Sequence, residues 1–137
     1  GARGLMQVMP AAAKMMAGKV GLPYEPARLT TDPDYNAAIG SAYLAGLVEE
    51  FGMSPVLVAS GYNAGPGRPR KWISERGDPR SDKVDVVDWV EHIPLRETQN
   101  YVMRVAESLA IYRARMSGDA ESEFETASSR PKADSID

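Results

Sequence analysis

Three short stretches carry more polar groups and special backbone residues than packing alone requires: Gly4-Leu5-Met6-Gln7-Val8-Met9-Pro10, Gly61-Tyr62-Asn63-Ala64-Gly65-Pro66-Gly67 and Glu91-His92-Ile93-Pro94-Leu95-Arg96-Glu97-Thr98-Gln99-Asn100-Tyr101. The third places two carboxylates, Glu91 and Glu97, on either side of Pro94, a spacing open to general acid–base chemistry in a shared cleft or to no shared site at all. Glu97 stands about where a carboxylate commonly stabilises the free N–H groups and dipole of a helix start. Glu91 lies late in its own helix, where a negative charge is mildly unfavourable and a partner or a task is the more natural explanation. The second stretch has the glycines of a phosphate-cradling loop. It lacks the Gly-Lys-Ser/Thr ending and follows a helix, so a helix C-terminus closed by glycine and proline explains it better. The first reads as a turn into a helix, with Met6 and Met9 as core filler.

Other chemistries are excluded by counting. There is no cysteine, which removes disulfides, thiolate metal sites and cysteine nucleophiles, and a single histidine, His92, through which any Ser-His-Asp triad would have to run. Zinc sites built on several imidazoles are excluded with them. His92 has no partner visible in the sequence and reads as a surface or capping residue. The bases Arg68, Arg70, Lys71, Arg76 and Arg80 around Trp72 read as a solvated loop, or at most a lip for an anionic polymer.

The elements that position these stretches are helical. Asp32-Pro33 is a helix start, and Ile39, Tyr43, Leu47 and Phe51, with Leu44 and Val48, mark one face up to Gly52. Ser54-Pro55 repeats the signal ahead of the apolar run Val56 to Tyr62. Pro10 to Val20 is a shorter helix closed by Gly21, and Asp85 is placed to cap a helix holding Val86, Val87, Trp89, Val90 and Ile93. Pro94 opens a last helix with Leu95, Thr98, Tyr101, Val102, Val105, Leu109 and Tyr112 at three- and four-residue steps. Leu22 to Thr31 and Ser74 to Val84 are connections, and no strand pattern of useful length is present.

The chain has 137 residues, 43% hydrophobic and 26% charged, the composition of one mainly α globular domain large enough to bury a core unaided. No apolar run approaches the length of about 18 residues that a membrane span needs. Ser117 to Asp137 holds six acids and two bases and few aliphatics, and is expected to be a disordered acidic tail. The chain carries −3 overall and this tail −4, so residues 1–116 stand at +1 and bulk attraction to nucleic acid is not indicated.

Taken in order, the three stretches resemble the catalytic domain of the soluble lytic transglycosylases, bacterial enzymes with a goose-type-lysozyme-like helical fold. Gly4-Leu5-Met6-Gln7 is similar to the family's Gly-Leu-Met-Gln motif, Tyr62-Asn63-Ala64-Gly65 to its Tyr-Asn-Ala-Gly motif, and Glu91-His92-Ile93-Pro94 with Glu97-Thr98-Gln99-Asn100-Tyr101 to its Glu-x-Ile-Pro and Glu-Thr-x-x-Tyr segment. Asp32-Pro33 through Asn36, Ile39-Gly40 and Tyr43-Leu44 resemble its long central helix. The resemblance covers nearly all of residues 1–115. It implies a transglycosylase domain over 1–116 and the tail over 117–137.

The resemblance implies cleavage of the bond between N-acetylmuramic acid and N-acetylglucosamine in peptidoglycan, with closure of a 1,6-anhydro ring instead of hydrolysis. The family's general acid is a glutamate in a Glu-Ser pair that would lie upstream of Gly1, so no residue of this chain inherits that role and the domain is expected to be N-terminally incomplete. Met6, Gln7, Tyr62, Asn63, Glu91 and Tyr101 are the expected substrate-binding residues. Gln7 would offer its amide to the sugar, Met6 a soft apolar floor, Tyr62 a hydrogen bond to the N-acetyl carbonyl, Glu91 a sugar or stem ligand and Tyr101 a cleft wall. The implied partner is the glycan strand of peptidoglycan, the implied location is the periplasm or cell envelope, and no metal or organic cofactor is implied. Two rival readings are a goose-type-lysozyme-like hydrolase and, if the chain is complete, a non-catalytic peptidoglycan-binding module.

Overall fold

The structure is a computed structural model that describes the backbone of residues 1–129 and the side chains of residues 1–118. Among the described residues seven helices follow in chain order: α1 (Pro10–Val20), α2 (Arg28–Thr31), α3 (Pro33–Phe51), α4 (Pro55–Ala64), α5 (Gly67–Arg76), α6 (Val86–Glu91) and α7 (Arg96–Ser129). The only β pairing among the described residues is an isolated antiparallel bridge between Arg3 and Val8.

Three of the helix starts, those of α3, α4 and α6, are made by side chains that accept otherwise unpartnered N–H groups. Asp32 accepts from Tyr35 N, Ser54 from Leu57 N and Asp85 from Asp88 N, while Pro33 and Pro55 supply a preset φ in the first turn. Arg28 bonds the same Asp32 carboxylate at 2.8 Å, reaches Glu25 at 2.9 Å and lies 4.5 Å over the Tyr35 ring. That guanidinium holds the Asp32 carboxyl below its usual range, so the cap stays ionised. At the C-terminal end of α1, Gly21 turns left-handed at φ 74°, and Leu22 N donates to Ala17 O, closing the helix with a six-residue bond.

The core forms where α3 meets α1, α2 and α4. Tyr35, Ile39, Tyr43, Leu47 and Phe51 recur every four residues on α3 and are all buried, as the spacing predicts. Leu44 departs from that face. It is 38% exposed and, with Val48, lines an apolar groove of about 530 Å³ between α3, α4 and α7. α7 packs along α4 through its first turns, with Thr98 and Val102 buried and Val105 half-buried. Tyr112, expected on the same face, is 61% exposed, because α7 by then has passed the end of the shorter α4.

The basic stretch around Trp72 is a helix, not a loop. α5 buries Trp72 almost completely, edge-on to Trp89 of α6 at 6.1 Å between ring centroids. Sequence periodicity fails here because one bulky anchor replaces a repeating stripe. The helix containing Trp89 ends at Glu91, and Ile93 is buried in the following turn. The backbone of α7 continues to Ser129, past the Ser117 boundary of the expected tail; residues 130–137 lie outside the described residues.

Candidate active site cleft

The first wall of the site is the turn Arg3–Val8. Arg3 and Val8 exchange both backbone hydrogen bonds, at 2.9 and 3.0 Å, and Gln7 N donates to Gly4 O at 3.1 Å inside them. On the α3 side Asn36 ties this turn to the body, with a weaker contact from the Ser41 hydroxyl to Met6 Sδ at 3.8 Å. Asn36, fully buried, accepts from Met6 N at 2.7 Å and donates from Nδ2 to Arg3 O at 2.8 Å and Leu29 O at 3.0 Å. An amide is the one neutral side chain able to accept and donate twice at once in a dry site. The turn also demands glycine at two approaches. A Cβ on Gly4, at φ 74°, would sit 1.9 Å from Leu29 O, and one on Gly40 would sit 2.6 Å from Met6 Sδ.

Gln7 is the one described non-glycine residue at positive φ, 51°. An unbranched side chain in the left-handed region is uncommon and is kept only where its surroundings insist on it. Its Nε2 donates to Gly4 O at 2.8 Å, leaving the amide oxygen and a second N–H on the exposed side.

The second wall is the C-terminal end of α4 with the start of α7. Tyr62 crosses between the walls, its hydroxyl donating to Met6 O at 2.5 Å, with its ring 5.3 Å from that of Tyr43. Tyr43 in turn donates to Gly61 O at 2.8 Å. Asn63 Oδ1 accepts from the buried Thr98 hydroxyl at 2.7 Å, which ties α4 to α7 and leaves the Asn63 NH2 unspent. Burial pushes the Tyr62 phenol up to about 12, with neighbouring Tyr101 and Tyr43 adding to the shift. Tyr101 is raised by burial as well, against the opposing pull of Arg104. Both phenols are therefore neutral in any ordinary buffer and serve as hydrogen-bonding groups rather than bases.

Between the walls lies a cleft of about 910 Å³. Five of the six expected binding residues line it: Met6, Gln7, Tyr62, Asn63 and Tyr101. Glu91 does not. It is exposed at the end of α6, where the turn that buries Trp89 and Val90 rotates the next side chain to solvent, and its backbone oxygen accepts from Gln99 at 2.7 Å. Glu97 is the one carboxylate among the described lining residues, exposed in the first turn of α7. Met9 lines the cleft at 43% exposure and is not core filler, whereas Met6 is half-buried and forms part of both the cleft and the apolar groove behind it. His92 caps α6, its Nδ1 lying 2.8 Å from Asp88 O.

Sequence reasoning assigned no role to Asn36. The signal was present as a polar residue on the buried face of α3, one turn before Gly40, the residue pressed against Met6. It also missed Arg96 and Arg104 on the cleft lining. Within the basic stretch, Arg70 pairs with Glu50, Lys71 lies 3.8 Å from Glu75, Arg80 pairs with Asp78 at 2.6 Å, and Arg76 stacks 5.1 Å over Trp89 while donating to its carbonyl. Arg68 alone of that stretch reaches the cleft.

The cleft thus presents amide groups, one crossing phenol and apolar faces from Leu5, Met6 and Leu95, a set suited to a polyhydroxylated, acetamido-bearing ligand with alternating polar edges and apolar faces. Among the described residues no group of three or more His, Asp or Glu side chains is arranged to hold a metal, and no helix is long and apolar enough to cross a membrane.

The comparisons with known proteins agree with this geometry. Residues 1–84 match the Transglycosylase SLT domain family. The soluble lytic murein transglycosylase of Escherichia coli K12 is 38% identical over 114 residues, 82% of this chain and 17% of that protein, and a putative soluble lytic murein transglycosylase of Haemophilus influenzae is 38% identical over 104 residues. This chain therefore spans about one-sixth of the length of the curated relatives it matches. Among solved structures, the 70 kDa soluble lytic transglycosylase of Escherichia coli superposes with a TM-score of 0.71 at 38% identity, over 85% of this chain and 18% of that one. Lytic transglycosylase Slt of Pseudomonas aeruginosa, in an inactive mutant form, gives 0.67 at 37%, over the same shares. The mainly α, lysozyme-like fold expected from the motifs is the one found. By its matched motifs, its helical fold and its 38% identity to these enzymes, the chain belongs to the transglycosylase SLT domain family.

Proposed function

We propose that this chain is the substrate-binding body of a peptidoglycan lytic transglycosylase, which cleaves the β-1,4 bond between N-acetylmuramic acid and N-acetylglucosamine and leaves 1,6-anhydro ends. The observation that carries the reading is convergence: three motif stretches far apart in the chain contribute Met6 and Gln7, Tyr62 and Asn63, and Tyr101 to one cleft in a protein of this family. Gln7, with its amide oxygen and one N–H free, is assigned to the acetamido and hydroxyl groups of the sugar, as is the unspent NH2 of Asn63. Met6 provides the apolar floor beneath a pyranose. Because the Tyr62 proton already goes to Met6 O, Tyr62 either offers a ligand its oxygen as acceptor or exchanges that carbonyl for an acetamido carbonyl.

The reaction needs an acid that protonates the leaving glycosidic oxygen and then, as a base, takes a proton from the muramyl C6 hydroxyl. In this reading that group is a glutamate upstream of Gly1, and the residues described here do the positioning. Since the nucleophile is internal to the sugar, orientation replaces an activated water, and the rigid, hydrogen-bonded walls are the main contribution of this chain. A peptidoglycan substrate places the protein in the periplasm or cell envelope.

The test is mass spectrometry of purified sacculi after incubation with this chain and, in parallel, with a form extended upstream through the Glu-Ser segment. Anhydromuropeptides released by the extended form alone are expected. Hydrolysed reducing ends in their place would transfer the assignment to a lysozyme-type hydrolase. Release by the short chain would assign the chemistry to a carboxylate present here, with Glu97 first in line.

A further inference from the structure

Thr30, Thr31 and Ser60 spend their hydroxyls on carbonyls three or four residues back in their own segments, the local bond that Ser and Thr ordinarily make. Thr98 does not. It is the third residue of α7 and only 2% exposed, yet its one side-chain hydrogen bond among the described residues runs 35 positions away, to Asn63 Oδ1 at 2.7 Å. Helix capping therefore does not account for this hydroxyl, and the amide that receives it lines the cleft.

A hydroxyl can donate or accept, but burial removes the choice. If the Asn63 amide turned over, its NH2 would donate to Thr98 and the Thr98 proton would be left buried without an acceptor, at the full desolvation cost of an unpaired donor. Asn63 therefore keeps its oxygen on Thr98 and its NH2 unspent in a cleft-lining side chain. Gln7, on the facing wall, is fixed in the opposite sense. Gly4 O accepts from its Nε2 at 2.8 Å, where a turned amide would set oxygen against oxygen, so the Gln7 oxygen stays free. The cleft thus holds two amides whose polarity is set by the fold.

We propose that Thr98 is a positioning residue of the cleft: by holding Asn63 Oδ1 it presents the Asn63 NH2 to an acetamido carbonyl and makes that wall selective for acetamido over hydroxyl at the second carbon of the sugar. This rests on the glycan reading above and names the residue that sets its specificity. An acetamido carbonyl only accepts, so it requires the NH2. A hydroxyl donates or accepts and is indifferent to which end of the amide it meets. Thr98, its own hydroxyl already spent, acts through Asn63 rather than on the ligand.

The test is NMR titration of the chain and its Thr98 variants with two neutral probes, an N-acetylglucosamine oligomer and a glucose oligomer of the same length. Thr98→Ser keeps the donor and is expected to bind the acetamido oligomer as the unaltered chain does. Thr98→Val frees the amide and weakens that binding about threefold, while Thr98→Asp, an acceptor at the same place, turns the NH2 inward and weakens it about tenfold. Any binding of the glucose oligomer stays within about twofold across the series, since a hydroxyl suits either end of the amide. The Asn63 NH2 resonances move on acetamido titration in the unaltered chain and in Thr98→Ser. In an Asn63→Ala background neither Thr98→Val nor Thr98→Asp costs anything further, the mark of a residue acting through Asn63. Should the buried carboxylate of Thr98→Asp unfold the chain, the Thr98→Ser and Thr98→Val pair decides. A flat series on the acetamido oligomer, or equal losses on both oligomers, overturns the role of Thr98 and leaves the cleft standing. Failure of the unaltered chain to bind the acetamido oligomer overturns the glycan reading together with it.

Discussion

The two walls of the cleft face each other but are held by different forces. The Gly4–Gln7 turn has no apolar anchor deeper than Val8 and depends on polar groups: the Arg3–Val8 bridge, the Asn36 amide and a phenol arriving from Tyr62. The wall of α4 and α7 is ordinary helix packing around Val102, with one hydrogen bond, Thr98 to Asn63, laid over it. Packing spreads its free energy over many atoms, so one lost contact is shared among neighbours. A polar clamp concentrates it in a few atoms whose partners, once buried, have nowhere else to turn. The turn is thus the brittle wall, and the helices the tolerant one.

The sharpest break of that contrast is Gly4→Ala. Its methyl would meet the backbone oxygen of Leu29 rather than a movable side chain, at a φ that L residues avoid, and the expected loss is about 3 kcal/mol or more in urea denaturation. Asn36→Ala follows. It removes both donors and the acceptor that hold Arg3, Met6 and Leu29, for an expected loss of about 2–4 kcal/mol, and the Met6 methyl resonance should shift with it. If Asn36→Ala proves as mild as a surface change, the turn is held by something other than its clamp and the contrast fails.

Tyr62→Phe cuts the one hydrogen bond that joins the walls among the described residues and should cost about 1 kcal/mol. It also carries a pH signature. Because the folded Tyr62 phenol titrates near 12 against an ordinary 10, its contribution is complete below pH 10 and is lost as pH rises through about 12. Tyr62→Phe should flatten part of the alkaline fall in stability, with Tyr43 and Tyr101, both raised by burial, supplying the remainder. The smallest effect is expected from Thr98→Val, which keeps shape and loses one hydroxyl. With Asn63 only half-buried, water can replace the lost donor, and thermal unfolding should register about 0.5–1 kcal/mol. A larger loss than that of Asn36→Ala would reverse the ranking of the walls.

The helices were legible because their signals are local. Asp32, Ser54 and Asp85 each satisfy an N–H three residues on, and Gly21 closes α1 within six residues, so neighbours in the chain suffice to specify both ends. α5 was not legible, since what makes it a helix is the burial of Trp72 against Trp89, a contact seventeen positions away that no periodicity announces. The site divides in the same manner. Met6, Gln7, Tyr62, Asn63 and Tyr101 were recognisable by motif, while Glu91, inside the same motif, turns to solvent because α6 spends its short length burying Trp89 and Val90.

By itself the sequence determined a mainly α chain, the starts and stops of its principal helices, the buried face of α3 and the three stretches that matter. Tertiary structure decided which polar groups meet. Met6 finds Asn36 across 30 residues, Thr98 finds Asn63 across 35 and Tyr62 finds Met6 across 56. Capping and periodicity act within one turn of backbone and are written in adjacent letters. A buried amide's partners depend on which surfaces the packed helices bring together, and that is settled only once the core has closed.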